Sequence, residues 1–361
     1  MNWDNICFNA ATLIAGVFVL DYGADKFLDH TVIVGQRLGI SPTLIALLTA
    51  GAEYEELAVV VAAIAQGHSP LALGNVVGSA ISNVLGAFSL GILFHPGAME
   101  FDRSAKIYAA LLLFITTLFV VLAFFDQLNV VTGWLLIGGF VVYILSIGYA
   151  IYKGVTEAPQ LSDSESDSDS DDDLPIARDD RAVGQDGMSE NSPLLHDPSS
   201  VLEGHTVKPT MSLFYHLCQL LFGLLALSLS GYIIAHSAGA LTQSLGLSGT
   251  VFGLTVIAFA TTLPEKFISV LSGSRGQGGI VVATTAGSNI FLLTICMGVV
   301  AVTGIPVNHA DNFVLFELAT VWVSALCLVG IVFLGSSRIA GLALLAAYIV
   351  FIVLEFTVYK R

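Results

Sequence analysis

Two glutamates, Glu56 and Glu265, lie deep in apolar stretches, and 23 positions after each comes the serine of a Gly-Ser pair, Gly78-Ser79 and Gly287-Ser288. A carboxylate near the centre of a bilayer costs on the order of 3 kcal/mol, so an acid kept there points to function. Two such acids brought together repel unless a proton or cation lies between them, and a single divalent ion balances both. Calcium takes roughly six to eight oxygen ligands, so carbonyls, hydroxyls and amides must complete the set. In Ala260-Thr261-Thr262-Leu263-Pro264-Glu265 the proline has no N–H for the carbonyl of Ala260, which predicts a broken helix with free acceptors next to Glu265. Gly51 is expected to loosen the first copy in the same place. Thr261, Thr262, Ser79, Ser288 and Asn83 are hard-oxygen donors, with Ser79 and Asn83 four apart on one helix face. Any one of these hydroxyls alone would read as polar glue between helices. Paired with two symmetry-related acids, the set reads as a cation site.

The acids and serines belong to a repeat. Residues 51–85 align without a gap on 260–294 at an offset of 209, keeping Gly67/Gly276, Gly78/Gly287, Ser79/Ser288 and Ile81/Ile290. Identities are few, so the shared spacing carries the argument.

The elements that must hold these residues are membrane helices. The 361 residues are 55% hydrophobic and only 11% charged, which excludes an ordinary soluble domain, where about a quarter are charged. Apolar stretches of the roughly 20 residues needed to span fall at 8–27, 39–66, 70–95, 105–125, 128–152, 211–237, 247–274, 278–303, 312–334 and 338–359. The expected fold is therefore an all-α membrane protein of about ten transmembrane helices, a first repeat over 1–152 and a second over 211–361. Five spans per half turn the second repeat upside down, giving two inverted five-helix repeats. With the amino terminus outside the cytosol, ten of the 13 Lys and Arg residues fall on the cytosolic side and only Lys360 and Arg361 opposite, as the positive-inside rule requires.

Between the halves, residues 153–210 carry SDSESDSDSDDDLP and 14 of the 28 acids, a composition that predicts a disordered acidic cytosolic loop. It reads first as a solvated linker, and beside that as a weak calcium sensor or a phosphorylated segment. Glu190, Leu194 and Leu195 fit an acidic dileucine pattern of the kind sorting adaptors read on the way to endosomes, lysosomes or vacuoles. Cys7, Cys218, Cys296 and Cys327 lack metal-ligand spacing and are expected as small apolar core residues. The start MNWDNIC has no basic leader, so the first span is expected to act as its own insertion signal.

Two blocks resemble a known superfamily. GNVVGSAISN, residues 74–83, is similar to the GNVIGSNIFN block, and ATTLPE, residues 260–265, to the GTSLPE block, of the cation/calcium exchangers, which include the sodium/calcium exchangers and their prokaryotic relatives. The likeness is close over 38–95 and 245–303. It implies alternating access with calcium held by Glu56 and Glu265 and by the carbonyls of Ala52 and Thr261. It also implies monovalent-ion contacts from Thr262, Ser79, Ser288 and Asn83. Two departures stand out: Glu53 takes the place of a serine, and Leu292 that of a polar or acidic residue. Three positions from Glu56, Glu53 shares its helix face and is a candidate to replace the lost ligand or to bind a proton. Glu55 is expected to point away from that face. Lys266, about 100° round the helix from Glu265, is expected to pack against helices or reach an interface rather than act as a ligand, with a fixed counter-ion that weakens cation binding as the alternative. Asp21 and Asp25 read as a hydrated vestibule at the cytosolic end of the first span.

These readings converge on a secondary antiporter, not an enzyme, exchanging Ca2+ for H+ or Na+ and needing no cofactor. No phosphate-cradling loop or basic patch suggests a nucleic-acid partner. A multi-pass protein of the vacuolar or another endomembrane is favoured, with the plasma membrane open. The competing class is a non-transporting membrane scaffold or calcium sensor working through its acidic loop. An intramembrane hydrolase is disfavoured, since no nucleophile or histidine cluster accompanies the acids.

Overall fold

The computed structural model describes residues 3–40, 51–153, 212–304 and 314–359, and the helices there belong to one compact unit. The expected acidic loop, its dileucine residues Glu190, Leu194 and Leu195, and the 41–50 part of the second expected span lie outside the described residues. In chain order the helices are α1 (Trp3–Arg37), α2 (Tyr54–Ala65), α3 (Ser69–Phe94), α4 (Arg103–Phe124), α5 (Val130–Tyr152), α6 (Leu213–Leu245), α7 (Gly249–Thr261), α8 (Leu263–Ser274), α9 (Gly278–Val302), α10 (Leu315–Leu334) and α11 (Arg338–Thr357). Among the described residues there is no strand, and eight helices are long and apolar enough to cross a membrane. A ninth span is the pair α7 and α8, bent by 48° at Thr262. The all-α membrane architecture expected from the sequence is the one observed, and α2 falls within the remaining expected span, 39–66.

The offset of 209 survives folding. It maps α2 onto α8 end to end, and the two helices stop the same way. Gly67 and Gly276 adopt φ of +76° and +74°, the left-handed region open to glycine. His68 N–H then donates to the Ala63 carbonyl at 2.8 Å and Gln277 N–H to the Ser272 carbonyl at 2.9 Å. Each is the six-to-one bond of a Schellman stop, which turns the chain directly into α3 or α9.

Those two helices form the centre. About 89% of the α3 span and 72% of the α9 span are buried, against 22–39% for the six other long spans, whose outer faces present residues such as Phe18, Phe114, Leu145, Phe214 and Ile339. With little hydrophobic force between helices in lipid, close approach depends on small residues. A Cβ on Gly74 would lie 2.3 Å from the Thr250 carbonyl oxygen and one on Gly78 2.4 Å from that of Leu254, so α3 and α7 are in backbone contact. Serine and aspartate caps mark the loop-to-helix joints: Asp102 accepts from Ser104 and Ala105 N–H, Ser248 from Val251 N–H, and Ser337 from Ala340 N–H.

Two expectations are corrected. The first and sixth helices run well past the predicted 8–27 and 211–237, to 35 and 33 residues. Hydropathy loses the first near Asp29 and the sixth near Thr242 and Gln243, but the two helices pack along each other through Gly23 and Gly223 and stay wound. At 1.5 Å per residue α1 is about 52 Å long, more than a bilayer core, so it must tilt or project. Cys7 and Cys218 are exposed on outer faces and only Cys296 is fully buried, because a lipid-facing surface accepts small apolar groups as readily as a core does. His30 and His216 are buried inside α1 and α6 with their Nδ1 atoms 3.1 Å apart.

Candidate functional site

Both repeats break their helices just before an acid. In the first, Gly51 has φ of +72°, and residues 51–53 leave the helical path before α2 begins at Tyr54. In the second, Thr262 interrupts the chain and Pro264 enters at the first turn of α8. Glu55 and Glu56 therefore occupy the first turn of α2, and Glu265 the first turn of α8. Helix N-termini carry partial positive charge, which makes these the least costly buried places for carboxylates.

The breaks bring the two repeats together. A Cβ on Gly51 would sit 2.9 Å from the Gly287 backbone and 3.0 Å from Ser288 N, so the first acidic turn leans on the second Gly-Ser pair. Glu53 lies within hydrogen-bonding reach of Glu56, of Glu265 and of Ser288. Carboxylates so placed touch only through a shared proton or cation. Glu53, Glu56 and Glu265 are 2%, 0% and 9% exposed, and among the described residues neither oxygen of Glu56, nor Oε2 of Glu53 or Glu265, has a hydrogen-bond donor. Unsatisfied buried carboxylate oxygens are strongly unfavourable. The groups satisfy themselves only with a cation or protons in the space between them.

Most of the remaining sequence-predicted residues are buried as well. Ser79 and Asn83 are fully buried on α3, with Ser79 Oγ and Asn83 Oδ1 also lacking a donor or acceptor. Asn75, one turn earlier on the same face, has neither amide atom bonded, so α3 presents a stripe of unsatisfied polar groups at i, i+4 and i+8. Ser288 meets Glu53. Thr261 is buried, its hydroxyl donating to the Ile257 carbonyl at 3.0 Å. The carbonyl of Ala52 accepts from Tyr54 N–H at 3.1 Å, leaving a second lone pair.

Glu55 is corrected. Its carboxylate joins the cluster, with oxygens of Glu53, Glu55 and Glu56 all within 4.8 Å of one another. The helix angle that turned it away assumed a regular helix through residue 53, whereas the chain is not helical there. Half-buried, Glu55 also interacts electrostatically with Asp21 and Asp25 of α1, extending the acidic track outward. Lys266 is corrected more sharply. Only 8% exposed, its ammonium donates to Ser82 Oγ at 2.9 Å, to the Thr262 carbonyl at 3.0 Å and to Thr262 Oγ1 at 2.5 Å.

Four contributors were not anticipated: Ser82, Glu55, Asn289 and Tyr348. Asn289 donates to the Ala80 carbonyl at 2.9 Å and accepts from Asn83 at 3.1 Å, tying α9 to α3, and Tyr348 of α11 donates to Ser82 at 2.9 Å. Ser82 opens the π-helical turn Ser82–Phe88, where the widened coil brings it inward beside Asn83. A polar pair next to a glycine-rich block was the available signal for Ser82 and Asn289; nothing local marked Tyr348.

Fold and site together define a multi-pass membrane protein with a buried cluster of carboxylates drawn from both sequence repeats. A family profile described as "Sodium/calcium exchanger protein" matches residues 8–148 and 215–357, and the chain belongs to that family. It is similar to the "Putative antiporter CaxA" of Alkalimonas amylolytica, 27% identical over 80% of this chain and 78% of that protein. Likeness to the "Sodium/calcium exchanger MaX1" of Methanosarcina acetivorans, 25% identical, covers 97% of this chain and 99% of that one. In structure it resembles the sodium-calcium exchanger NCX_Mj, solved after soaking with 2.5 mM Na+ and 10 mM Sr2+, with a TM-score of 0.56 at 19% identity over 96% of this chain and 98% of the other.

Proposed function

We propose that this protein is a secondary active antiporter that exchanges Ca2+ for H+ or Na+ by alternating access, with the two halves, 1–152 and 211–361, acting as inverted repeats about the site. The observation that carries the reading is the meeting of Glu53, Glu56 and Glu265 from two repeats, buried and with unsatisfied oxygens. Calcium supplies the positive charge those carboxylates need, and its demand for further oxygens suits the carbonyls of Ala52 and Thr261. When calcium leaves, protons or sodium must take over the charge, and this obligation is what couples the two fluxes. Glu53 is the residue we assign to counter-ion binding, because it adds a carboxylate that can hold a proton. Ser79, Asn83 and Ser288 supply neutral oxygens to a monovalent ion. Thr262, included in that set on sequence grounds, contributes indirectly, since its hydroxyl is engaged by Lys266 and the Ala258 carbonyl.

The names of its relatives point the same way, to sodium and calcium as the exchanged ions and to transport rather than catalysis. A vacuolar or other endomembrane location, reached through adaptor contacts at Glu190, Leu194 and Leu195, completes the proposal. Labelled-calcium uptake into proteoliposomes under separately imposed proton and sodium gradients tests it. Uptake driven by at least one gradient is expected, and indifference to both would overturn the reading.

A further inference from the structure

The added lysine in the second repeat has no counterpart in the first. At the offset of 209 its equivalent is Leu57, while Glu53, the added acid of the first repeat, is the equivalent of Thr262. The two departures from symmetry meet at one place: the acid stands among the carboxylates, and the lysine bonds to the threonine that replaces it.

The hydrogen-bond partners of Lys266 suit its ammonium form. Thr262 Oγ1 donates to the Ala258 carbonyl at 2.5 Å, which spends its only hydrogen. In the 2.9 Å contact between the Thr262 and Ser82 hydroxyls, the donor must therefore be Ser82. With that hydrogen spent, Ser82 can only accept, from Tyr348 OH and from Lys266, both at 2.9 Å. Thr262 Oγ1 likewise accepts from Ser82 and Lys266, filling both lone pairs. The Thr262 carbonyl has no hydrogen to give. Three acceptors thus face Nζ, and all three hydrogens of an ammonium are required to meet them. The surroundings suit a cation: Thr262 closes the carbonyl end of α7, the negative end of that helix, the Phe259 ring lies 4.9 Å from Nζ, and Gly86 leaves room for the lysine stem, where a Cβ would come within 3.2 Å of Cε.

We propose that the Lys266 ammonium is a tethered monovalent cation, seated in a cage of neutral oxygens from Ser82 and Thr262, that sets how many mobile charges exchange for one calcium. This rests on the exchange reading above. Glu53, Glu56 and Glu265 bring three negative charges and Lys266 returns one, and these carboxylates are its electrostatic partners. The enclosed site is left with two negative charges, the same as the symmetric pair Glu56 and Glu265 alone. Glu55, only partly buried, also faces Asp21 and Asp25 of α1 and is assigned to the acidic track that leads to the site, outside this count. One Ca2+ or two monovalent ions neutralise the site, so exchange moves no net charge. Removing the lysine's charge adds one negative charge and frees the cage, making room for a third monovalent ion.

The test uses full-length protein in proteoliposomes, with labelled calcium flux measured at potentials clamped by potassium and valinomycin under proton and sodium gradients. Wild type is expected to exchange two monovalent ions per calcium, with the balance point unaffected by voltage. Lys266→Gln and Lys266→Met are expected to exchange three, so that the balance point moves with voltage. A packing defect would lower the rate without changing that ratio. Variants that keep the wild-type ratio, or a voltage-dependent balance point in wild type, overturn the proposal, and the wild-type measurement decides even if neither variant folds. Absence of wild-type calcium flux under every gradient would bring down the exchange reading itself, and the tethered-cation proposal with it.

Discussion

Replacing Glu56 by glutamine keeps the side chain's shape and removes one charge, and its effect on the ion-free and ion-bound protein should have opposite signs. Carboxylate oxygens of Glu53 and Glu56 lie within 4.8 Å of each other. Two unit charges at that separation in an effective dielectric constant of about 20 repel by about 3.5 kcal/mol. Where the pair shares a proton, the substitution instead removes the need to hold it. Either way, Glu56→Gln relieves the empty protein by up to about 3 kcal/mol. With calcium the balance reverses, because wild type gains about 2.7 kcal/mol at a hundredfold excess over Kd. The variant, having lost a buried ligand charge, should bind calcium at least about a hundredfold more weakly and show almost none of that gain. Thermal unfolding of the purified full-length protein in detergent, once in chelator and once in calcium, reads both effects. The curves should cross: Glu56→Gln melts higher than wild type in chelator and lower in calcium, and carries no labelled-calcium flux. A variant that melts lower in chelator, or that keeps the calcium-dependent rise, would show that the unsatisfied carboxylates do not form the ion site.

Gly78→Ala should reduce stability by about 1–3 kcal/mol through overpacking, because the new methyl meets the Leu254 carbonyl rather than a movable side chain; a lower melting temperature with weakened flux is the expected result. Gly67 has open space around it but φ of +76°. Gly67→Ala should therefore cost about 1 kcal/mol from backbone strain alone, and Gly67→Asn, which tolerates that region, should melt closer to wild type. Asn289→Leu, which breaks the bridge from the Ala80 carbonyl to Asn83, should slow calcium flux more than it lowers melting, since it frees the amide of Asn83 beside the site. Asp102→Ala removes the cap of α4 and should cost about 1 kcal/mol with the ratio of exchanged ions unchanged, a control that separates stability from coupling.

Much of this molecule is written locally. Spans follow from runs of apolar residues, the internal repeat from the spacing of Glu56 with Ser79 and Glu265 with Ser288, and the second helix break from Pro264, because each depends on residues near one another in the chain. Membership of the exchanger family was legible in the same short blocks. Glu53, Glu56 and Glu265 could be singled out as a set because a carboxylate in an apolar stretch is conspicuous wherever its partners come from. The role of Glu55 was not legible, and that of Lys266 only as an alternative. The direction of Glu55 was read from helical geometry shared with Glu53, whereas residues 51–53 lie outside the helix, and the partners of Lys266 come from beyond its own helix. Lys266 finds its acceptors at Thr262, one turn back, and at Ser82, 184 positions away, and Tyr348 completes that network from the last helix. Hydropathy and spacing report how each segment meets the bilayer. Which donor faces which acceptor across the two repeats is set only by the close backbone contacts at Gly51, Gly74 and Gly78, and these exist only in the folded chain.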